Sequence, residues 1–499
     1  MKKLPSIQKL ESWIDSYLNF EKTPKKNIFW LDTMRFFCEK FGHPENFAPC
    51  FHVAGSKGKG SVSTFIASIL DEGGYKTGLY TSPHILDFIE RVSSPKGPFE
   101  EEAYDRAVQE IMDGVQSISQ EELPGQRPIT WFELVTLFSF LVFRQAKVDY
   151  SVFEVGLGGR LDSTNVISPI CACITPIELE HTEFLGDTLE KIAYEKGGII
   201  KENTPVVIAR QQPNVRKVFE KIAAEKHAKA IFVEDTIENL EYKIHCIHFD
   251  TEKSNGSLQK KDQCAQNNTT CTQELMNVSF YSSLFCRPIC AKLRLSGAVQ
   301  AENAALAALA VKTAIPNISE DAIERGLSKA CLPARFEIIK NPSPFTGIPF
   351  LIMDGAHTVN SVKLTMETMK NVFADFSACS APLPSAGNAE KNPFTLLFAC
   401  AADKDAKDIA PLFRNRFEAV YLTKPGNVKQ ADLGRLKSAF DEAGITYDCN
   451  EDFEQQIKKA FDQANVSKSI LLVTGSFYLI AEVKRFLMKE GRASQGNVG

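Results

Sequence analysis

The segment Phe51-His52-Val53-Ala54-Gly55-Ser56-Lys57-Gly58-Lys59-Gly60-Ser61 constrains this chain more than any other. An apolar run that reads as a strand breaks into a glycine turn. An apolar-periodic stretch then follows with helical spacing: Val62, Phe65, Ile66, Ile69 and Leu70. A strand turning through glycines into a helix start builds a cradle for phosphate. Glycines let backbone N–H groups approach phosphate oxygens, and the helix N-terminus adds partial positive charge. Lys59 stands where it would balance the outer phosphates. The strict GxxxxGKS/T pattern is not met, because Val53 takes the first glycine's place and Gly60 separates Lys59 from Ser61. Two readings stand: a nucleotide loop supplied by ATP, and an ordinary glycine-rich turn.

A chain of 499 residues exceeds one typical core, so two domains are expected. A hydrophobic share of 44% with 24% charged residues is that of a soluble globular protein. A net charge of −5 gives no basic field for nucleic acid or an anionic membrane. Met1-Lys2-Lys3-Leu4-Pro5-Ser6 leads into mixed polar sequence without an apolar signal core. No apolar run reaches the ~18 residues of a membrane span, and Leu134–Phe143 reads as a buried helix. Thirteen scattered cysteines, an odd number, fit a reduced cytoplasmic interior. Cys246, Cys264, Cys271, Cys286 and Cys290, with His245 and His248, lie in one irregular region without a paired CxxC spacing. They read as thiols of a variable loop or as a zinc site.

Strand-like runs at Phe51–Ala54, Thr77–Thr81, Tyr150–Val155, Cys171–Thr175 and Val206–Ala209 alternate with amphipathic segments. That alternation predicts a mainly parallel sheet covered by helices, with ligands at the carboxyl ends of strands. An alanine-rich helix is expected at Ala301–Thr313. Cys331-Leu332-Pro333-Ala334-Arg335 marks a boundary, placing domains at 1–332 and 333–499. Strands near Phe350–Met353, Thr395–Cys400, Ala419–Leu422 and Ser469–Val473 make the second, smaller domain α/β and Rossmann-like. Polar stretches at about 254–272 and 380–392 read as surface insertions.

Further polar groups fall at strand ends. Glu154 closes a strand before Gly156-Leu157-Gly158-Gly159, where a carboxylate can hold Mg²⁺ or simply end a strand. His181, among Glu178, Glu180 and Glu183, reads as a metal ligand or as a hydrogen-bonded histidine. Lys196 precedes Gly197-Gly198, which reads equally as a solvated helix end with a glycine cap. Asp354-Gly355-Ala356-His357 ends a strand of the second domain, and Arg335 at the junction is suited to stabilising phosphoryl charge or to a structural role.

Taken together the segments resemble the folylpolyglutamate synthase/dihydrofolate synthase family of the Mur ligase superfamily. The resemblance is carried in order by His52–Ser61, Thr81-Ser82-Pro83-His84, Glu90-Arg91-Val92, Phe132-Glu133, Glu154–Asn165, Glu180–Thr188 and Ile192–Ile199. It continues through Gln300-Ala301-Glu302-Asn303-Ala304, Arg335-Phe336-Glu337, Asp354–His357, Asp403-Lys404-Asp405 and Thr474-Gly475-Ser476. It implies a P-loop-type ATPase domain and a reaction. ATP phosphorylates a folate-side carboxylate, and the amine of L-glutamate attacks the acyl phosphate. In that frame Gly58, Lys59, Gly60 and Ser61 hold the triphosphate. Ser82, Glu154 and His181 are the Mg²⁺ ligands. Asn303 contacts the nucleotide, and Arg335, Asp354 and His357 close over it from the second domain, excluding water. Lys59, Lys196 and His357 are the catalytic candidates, with Lys196 matching a lysine carried as a carbamate. Thr130, Leu161, Asp162 and Ser163 lie where the family places pteroate, and Phe132 helps shape that pocket.

The chain departs from the family with Ser56-Lys57 in place of Thr-Asn, Thr358-Val359 in place of Asn-Pro, and Ser93–Gly97 in place of Asn-Gly. The partners implied are folate or dihydropteroate and L-glutamate, without nucleic acid or membrane, for a cytoplasmic monomer. Two other functions fit parts of the pattern: a Mur-type amino-acid ligase acting on another acid, and a non-catalytic ATP-binding regulator.

Overall fold

The computed structural model describes residues 4–19, 30–247, 275–374 and 394–496. The stretches 254–272 and 380–392, expected as insertions, lie outside the described residues, as do His248, Cys264 and Cys271. Two compact units form. Unit 1 comprises the described parts of Met1–Tyr242, Val278–Leu293 and Ala298–Ala330; unit 2 those of Lys243–Asn277, Arg294–Gly297 and Cys331–Gly499.

Unit 1 is built on seven strands: β1 (Cys50–Ala54), β2 (Thr77–Tyr80), β3 (Val92–Ser93), β4 (Tyr150–Glu154), β5 (Cys171–Ile174), β6 (Val206–Ile208) and β7 (Ala230–Phe232). Their order is β3-β2-β4-β1-β5-β6-β7. All pairs are parallel except β2–β3. The unbroken burial of β1 and β5 is that of central strands in a parallel sheet covered on both faces. Cys171 and Cys173 are buried residues of β5, within the strand expected at Cys171–Thr175. β1 lies between β4 and β5, so the chain leaves it on one side and returns on the other. The carboxyl ends of these three strands form the crevice where such sheets take ligands.

One face packs on the helix Trp131–Ala146, with Phe88, Tyr104, Phe138, Phe140 and Phe153 in its core. Each such phenylalanine contributes about 1.5–3 kcal/mol by burial. The other face packs Ile174, Ile192, Ile208 and Phe219. The helix Ala298–Ala314 lies against the helix Lys59–Glu72, and its run of alanines allows close approach. A separate sheet of β8 (Glu238–Ile244), β9 (Met276–Tyr281) and β10 (Ile289–Leu293), ordered β10-β9-β8, shows alternating burial in β9 and β10, so one of its faces is more exposed than the other.

Unit 2 repeats the logic with β11 (Glu337–Lys340), β12 (Phe350–Asp354), β13 (Phe394–Phe398), β14 (Ala419–Leu422), β15 (Asp448–Cys449) and β16 (Ile470–Thr474). The order is β11-β12-β16-β13-β14-β15, with only β11–β12 antiparallel. Ile352, Leu396, Phe398, Phe440 and Leu472 share its core. Asp354 and Thr474 are register partners at the carboxyl ends of adjacent strands. No helix among the described residues is long and apolar enough to cross a membrane.

Candidate active site

β1 ends at Ala54, and the loop that follows is shaped by what it touches. Gly55 has φ 143°, and a Cβ there would stand 1.8 Å from Thr175 Oγ1. Gly58, at φ 91°, is the N-cap of the helix Lys59–Glu72, and its Cβ would come within 2.7 Å of Asn303 Oδ1. Both positions require glycine. The loop is tied to the segment after β5: Ser56 donates from N to Pro176 O (3.0 Å) and from Oγ to Glu178 O (3.1 Å). Gly58, Lys59, Gly60, Ser61 and Asn303 are thereby brought together.

Two ammonium groups converge on one carbonyl. Lys59 Nζ donates to Gly55 O at 3.0 Å, and Lys196 Nζ donates to the same oxygen at 2.8 Å. Lys196 comes from the helix Leu189–Gly197 and is only 1% exposed, so it is no solvated helix end. Its other partner is Glu180 Oε1 at 2.9 Å. Burial, and then the charge of Lys59, pull the Lys196 amine down to about 8, against the attraction of Glu180. Burial opposes the Glu180 carboxylate, but Lys59 and Lys196 outweigh it and hold it at about 2. Lys57 adds to the positive field at Lys196. An anion approaching this loop meets three lysines and one glutamate.

Glu154 is buried at the end of β4, where Val53 of β1 is its register partner. Ser82 donates its backbone N–H to Glu154 Oε2 at 3.1 Å, which joins two of the expected metal ligands. His181 is exposed, with φ 49°, at the start of the short helix Thr182–Leu185 and next to Glu180. Among the described residues no group of three His, Cys, Asp or Glu is arranged to hold a metal ion. Mg²⁺ binds through one or two carboxylates and otherwise through phosphates and water, and the buried carboxylate of Glu154 at its strand end is a donor of that type.

The expected pteroate residues have internal duties. Asp162 is buried, and its carboxylate accepts from Gly156 N (3.0 Å), Leu157 N (2.9 Å), Thr164 N (3.0 Å) and Thr164 Oγ1 (2.5 Å). Burial raises its pKa. Asp162 therefore builds the glycine loop, and any effect on substrate passes through that loop. Leu161 and Ser163 flank it, half-buried. Thr130 caps the helix Trp131–Ala146 in a capping box with Glu133. The Phe132 ring lies where a Cβ on Gly156 would be, 2.5 Å from its Cζ, so it does line the glycine loop.

Sequence reasoning gave no role to several residues that shape the site. Glu180 is the first. His52, fully buried in β1, donates from Nε2 to Thr164 Oγ1 (2.8 Å), whose hydroxyl is spent on Asp162; among the described residues the imidazole Nδ1 has no hydrogen-bond partner. Burial holds this imidazole neutral. Arg91, 1% exposed, donates to His84 Nδ1 (2.8 Å), and its guanidinium lies 4.8 Å from the Trp131 ring. Glu90 accepts from the backbone N–H groups of Ile85, Leu86 and Asp87 and so folds the loop after Ser82. Arg91 entered the sequence reading only within the Glu90-Arg91-Val92 string of the family resemblance.

Within unit 2, Arg335 and His357 gather around Phe477. The Arg335 guanidinium is 4.5 Å from that ring, and the His357 ring centroid is 5.9 Å from it. His357 donates from Nδ1 to Gly355 O at 2.8 Å. Asp354 accepts from Phe336 N and Ala356 N, both at 2.8 Å; burial raises its pKa and the Arg335 charge opposes that. Thr358 is a working helix cap, its Oγ accepting from Ser361 N, so losing the family's Asn-Pro leaves the helix start intact. Ser94 and Gly97 exchange backbone hydrogen bonds in the other altered segment.

A glycine phosphate loop, a strand-end carboxylate and a buried lysine on a parallel sheet define a class, and residues 53–311 match the model of the Mur ligase middle domain. The chain is 32% identical to the dihydrofolate synthase/folylpolyglutamate synthase of Bacillus subtilis, over 97% of its own length and 99% of that protein's. It therefore belongs to the dihydrofolate synthase/folylpolyglutamate synthase family of Mur ligases. The folylpolyglutamate synthase of Lacticaseibacillus casei is 27% identical over 90% of this chain and 92% of its own. Among solved structures, the folylpolyglutamate synthase of Thermotoga maritima matches with a TM-score of 0.72 at 25% identity, covering 97% of both chains. That of Mycobacterium tuberculosis, complexed with ADP and AMPPCP, shares the fold with a TM-score of 0.76 at 24% identity, over 97% of this chain and 98% of that one.

Proposed function

We propose that this chain is an ATP-dependent ligase that joins L-glutamate to a folate or pteroate carboxylate through an acyl phosphate. The observation that carries the reading is the convergence of Lys59 and Lys196 on Gly55 O beside Glu154. In this reading Lys59 exchanges the loop carbonyls for the outer phosphates of ATP, while Gly58, Gly60 and Ser61 offer N–H groups at the helix start. Ser82, Glu154 and His181 would hold Mg²⁺, which when bound neutralises charge on the phosphates. A carboxylate oxygen of the substrate attacks the γ-phosphorus and ADP leaves. The glutamate amine then attacks the acyl carbon, phosphate departs with the former carboxylate oxygen, and the nitrogen loses its proton.

Lys196 is assigned a carbamate. Its buried amine, with a pKa near 8, keeps a neutral share at physiological pH that can add carbon dioxide and release a proton. The product is an anion beside Lys59. An intact peptide that lacks the mass of carbon dioxide, under conditions that preserve carbamates, would refute this.

Asn303 is assigned to the nucleotide, and so are Arg335, Asp354 and His357 of the C-terminal domain, taken as 333–499. The ATP- and folate-binding domain is taken as 1–332. Thr130, Leu161, Asp162 and Ser163 are assigned to the pteroate side. A cytoplasmic monomer completes the reading. The test is ADP release with ATP, Mg²⁺ and glutamate, adding dihydropteroate to one sample and tetrahydrofolate to another. Turnover with both marks a bifunctional enzyme, and turnover with one names the branch. Release that neither compound stimulates contradicts the reading.

A further inference from the structure

We propose that Glu337 and Lys484 are positioning residues that hold the Arg335 guanidinium in place for the ligase reaction. The inference rests on the assignment of Arg335 to the nucleotide made above. Arg335 is flanked by Ala334 at φ 59° and Phe336 at φ 49°, two non-glycine residues in the left-handed region. Side-chain-bearing residues persist there only where their surroundings over-determine them, and such sites cluster at functional groups. Here carboxylates do the pinning. Ala334 donates its N–H to Glu337 Oε2 (2.9 Å), and Phe336 donates its N–H to Asp354 Oδ2 (2.8 Å). Gly355 N–H closes the turn on Ala334 O at 2.9 Å.

The remaining oxygen of Glu337 is held by Lys484. Its Oε1 accepts from Lys484 Nζ at 2.7 Å, with side-chain exposures of 3% and 5%. A buried ion pair is weak as a source of stability, because desolvation offsets the attraction, so its presence calls for another role. Its placement supplies one. Lys484 and Phe477 lie two turns apart on the same helix, Phe477–Gly496. Phe477 is the ring beneath the Arg335 guanidinium. One helix therefore supports the arginine head through an aromatic ring and its backbone through Lys484, Glu337 and the Ala334 N–H. A charge fixed in advance costs no reorganisation when phosphoryl charge develops.

The experiment measures kcat, KM for ATP and melting temperature for R335A, K484M, K484R, A334G and the double variant R335A/K484M, with substrate-dependent ADP release as the assay. K484M should lower kcat about 10- to 100-fold, the scale of a small misplacement of a reacting group, and K484R should restore most of it. In the R335A background K484M should add no further loss, since Lys484 acts through Arg335. A334G relieves the left-handed strain, so it should melt no lower than wild type yet turn over severalfold more slowly. The proposal is overturned if K484M costs the same factor with and without Arg335. Should K484M fail to fold, the double variant E337Q/K484M, which leaves no unpaired buried charge, takes its place, and a wild-type kcat in that folded variant overturns the proposal. R335A at the wild-type kcat would overturn the assignment of Arg335 itself, and the proposal with it.

Discussion

Lys196 reaches the phosphate loop from 141 residues downstream and shares the Gly55 carbonyl with Lys59. Removing its amine should remove the carbamate anion assigned to it and that anion's hold on the metal. Lys196→Met is expected to lower kcat by about 10- to 100-fold, the range for losing an outer-shell partner of a metal site, and Lys196→Arg should not restore it because a guanidinium cannot form the carbamate. The same group gives a pH signature. The native amine releases its proton near 8 and the unfolded one near 10.5, so between those values the unfolded state binds more protons and stability rises with pH. Chemical denaturation of wild type against Lys196→Met should show that gain above pH 8; a flat difference would refute the burial of a cationic amine. Glu180 acts in the opposite window: its contribution is complete above about 4.5 and is lost as pH falls towards 2. At this scale the residues proposed for the site were singled out by their place in the sequence: Lys59 and Glu154 follow apolar strand runs, and Lys196 precedes two glycines. Glu180 opposite Lys196, and His52 behind Thr164, were not, because such pairs meet only once crossovers have folded. Asp162 shows a different limit: a carboxylate in a glycine loop reads alike whether it faces a ligand or its own backbone.

Among the elements, the loop from Gly55 to Ser61 is the most tightly specified. Gly55→Ala places a methyl group on Thr175 and forces a side chain into φ 143°. It should destabilise unit 1 by about 1–3 kcal/mol in a denaturant titration and abolish ADP release; wild-type stability would mean that the loop is laxer than its contacts imply. Asp162→Asn keeps the shape but weakens the acceptor for Gly156 and Leu157. It should raise the KM for the folate and leave the KM for ATP unchanged, whereas equal losses would sink the pteroate-side assignment. The central strands were legible to within about two residues, since a buried parallel strand is a short unbroken apolar run. β3, β7, β8 to β11 and β15 were not, being edge or surface strands that are short or mixed in polarity. The alanine-rich helix was expected at Ala301–Thr313 and spans Ala298–Ala314, because helix starts carry polar residues that periodicity does not register.

For the molecule as a whole, each unit has a mainly parallel sheet, and Glu154 and Asp354, both singled out in the sequence, close a strand of each. The Glu154 crevice lies in unit 1 and the Asp354–Thr474 register pair in unit 2. His357→Ala, in unit 2, should leave melting unchanged and lower kcat/KM for ATP; an unchanged value would remove His357 from the nucleotide assignment. Alternating strands and helices made this architecture legible, and strand-end polarity singled out several of the residues proposed for the sites. The choice among folates was not legible, because it depends on pocket shape rather than on residue type. The most direct test of the central claim is to supply the folate-side substrate with heavy oxygen in its reacting carboxylate and to weigh the inorganic phosphate released. An acyl-phosphate ligase must transfer one labelled oxygen to each phosphate formed; phosphate without label during productive glutamate addition would contradict the account.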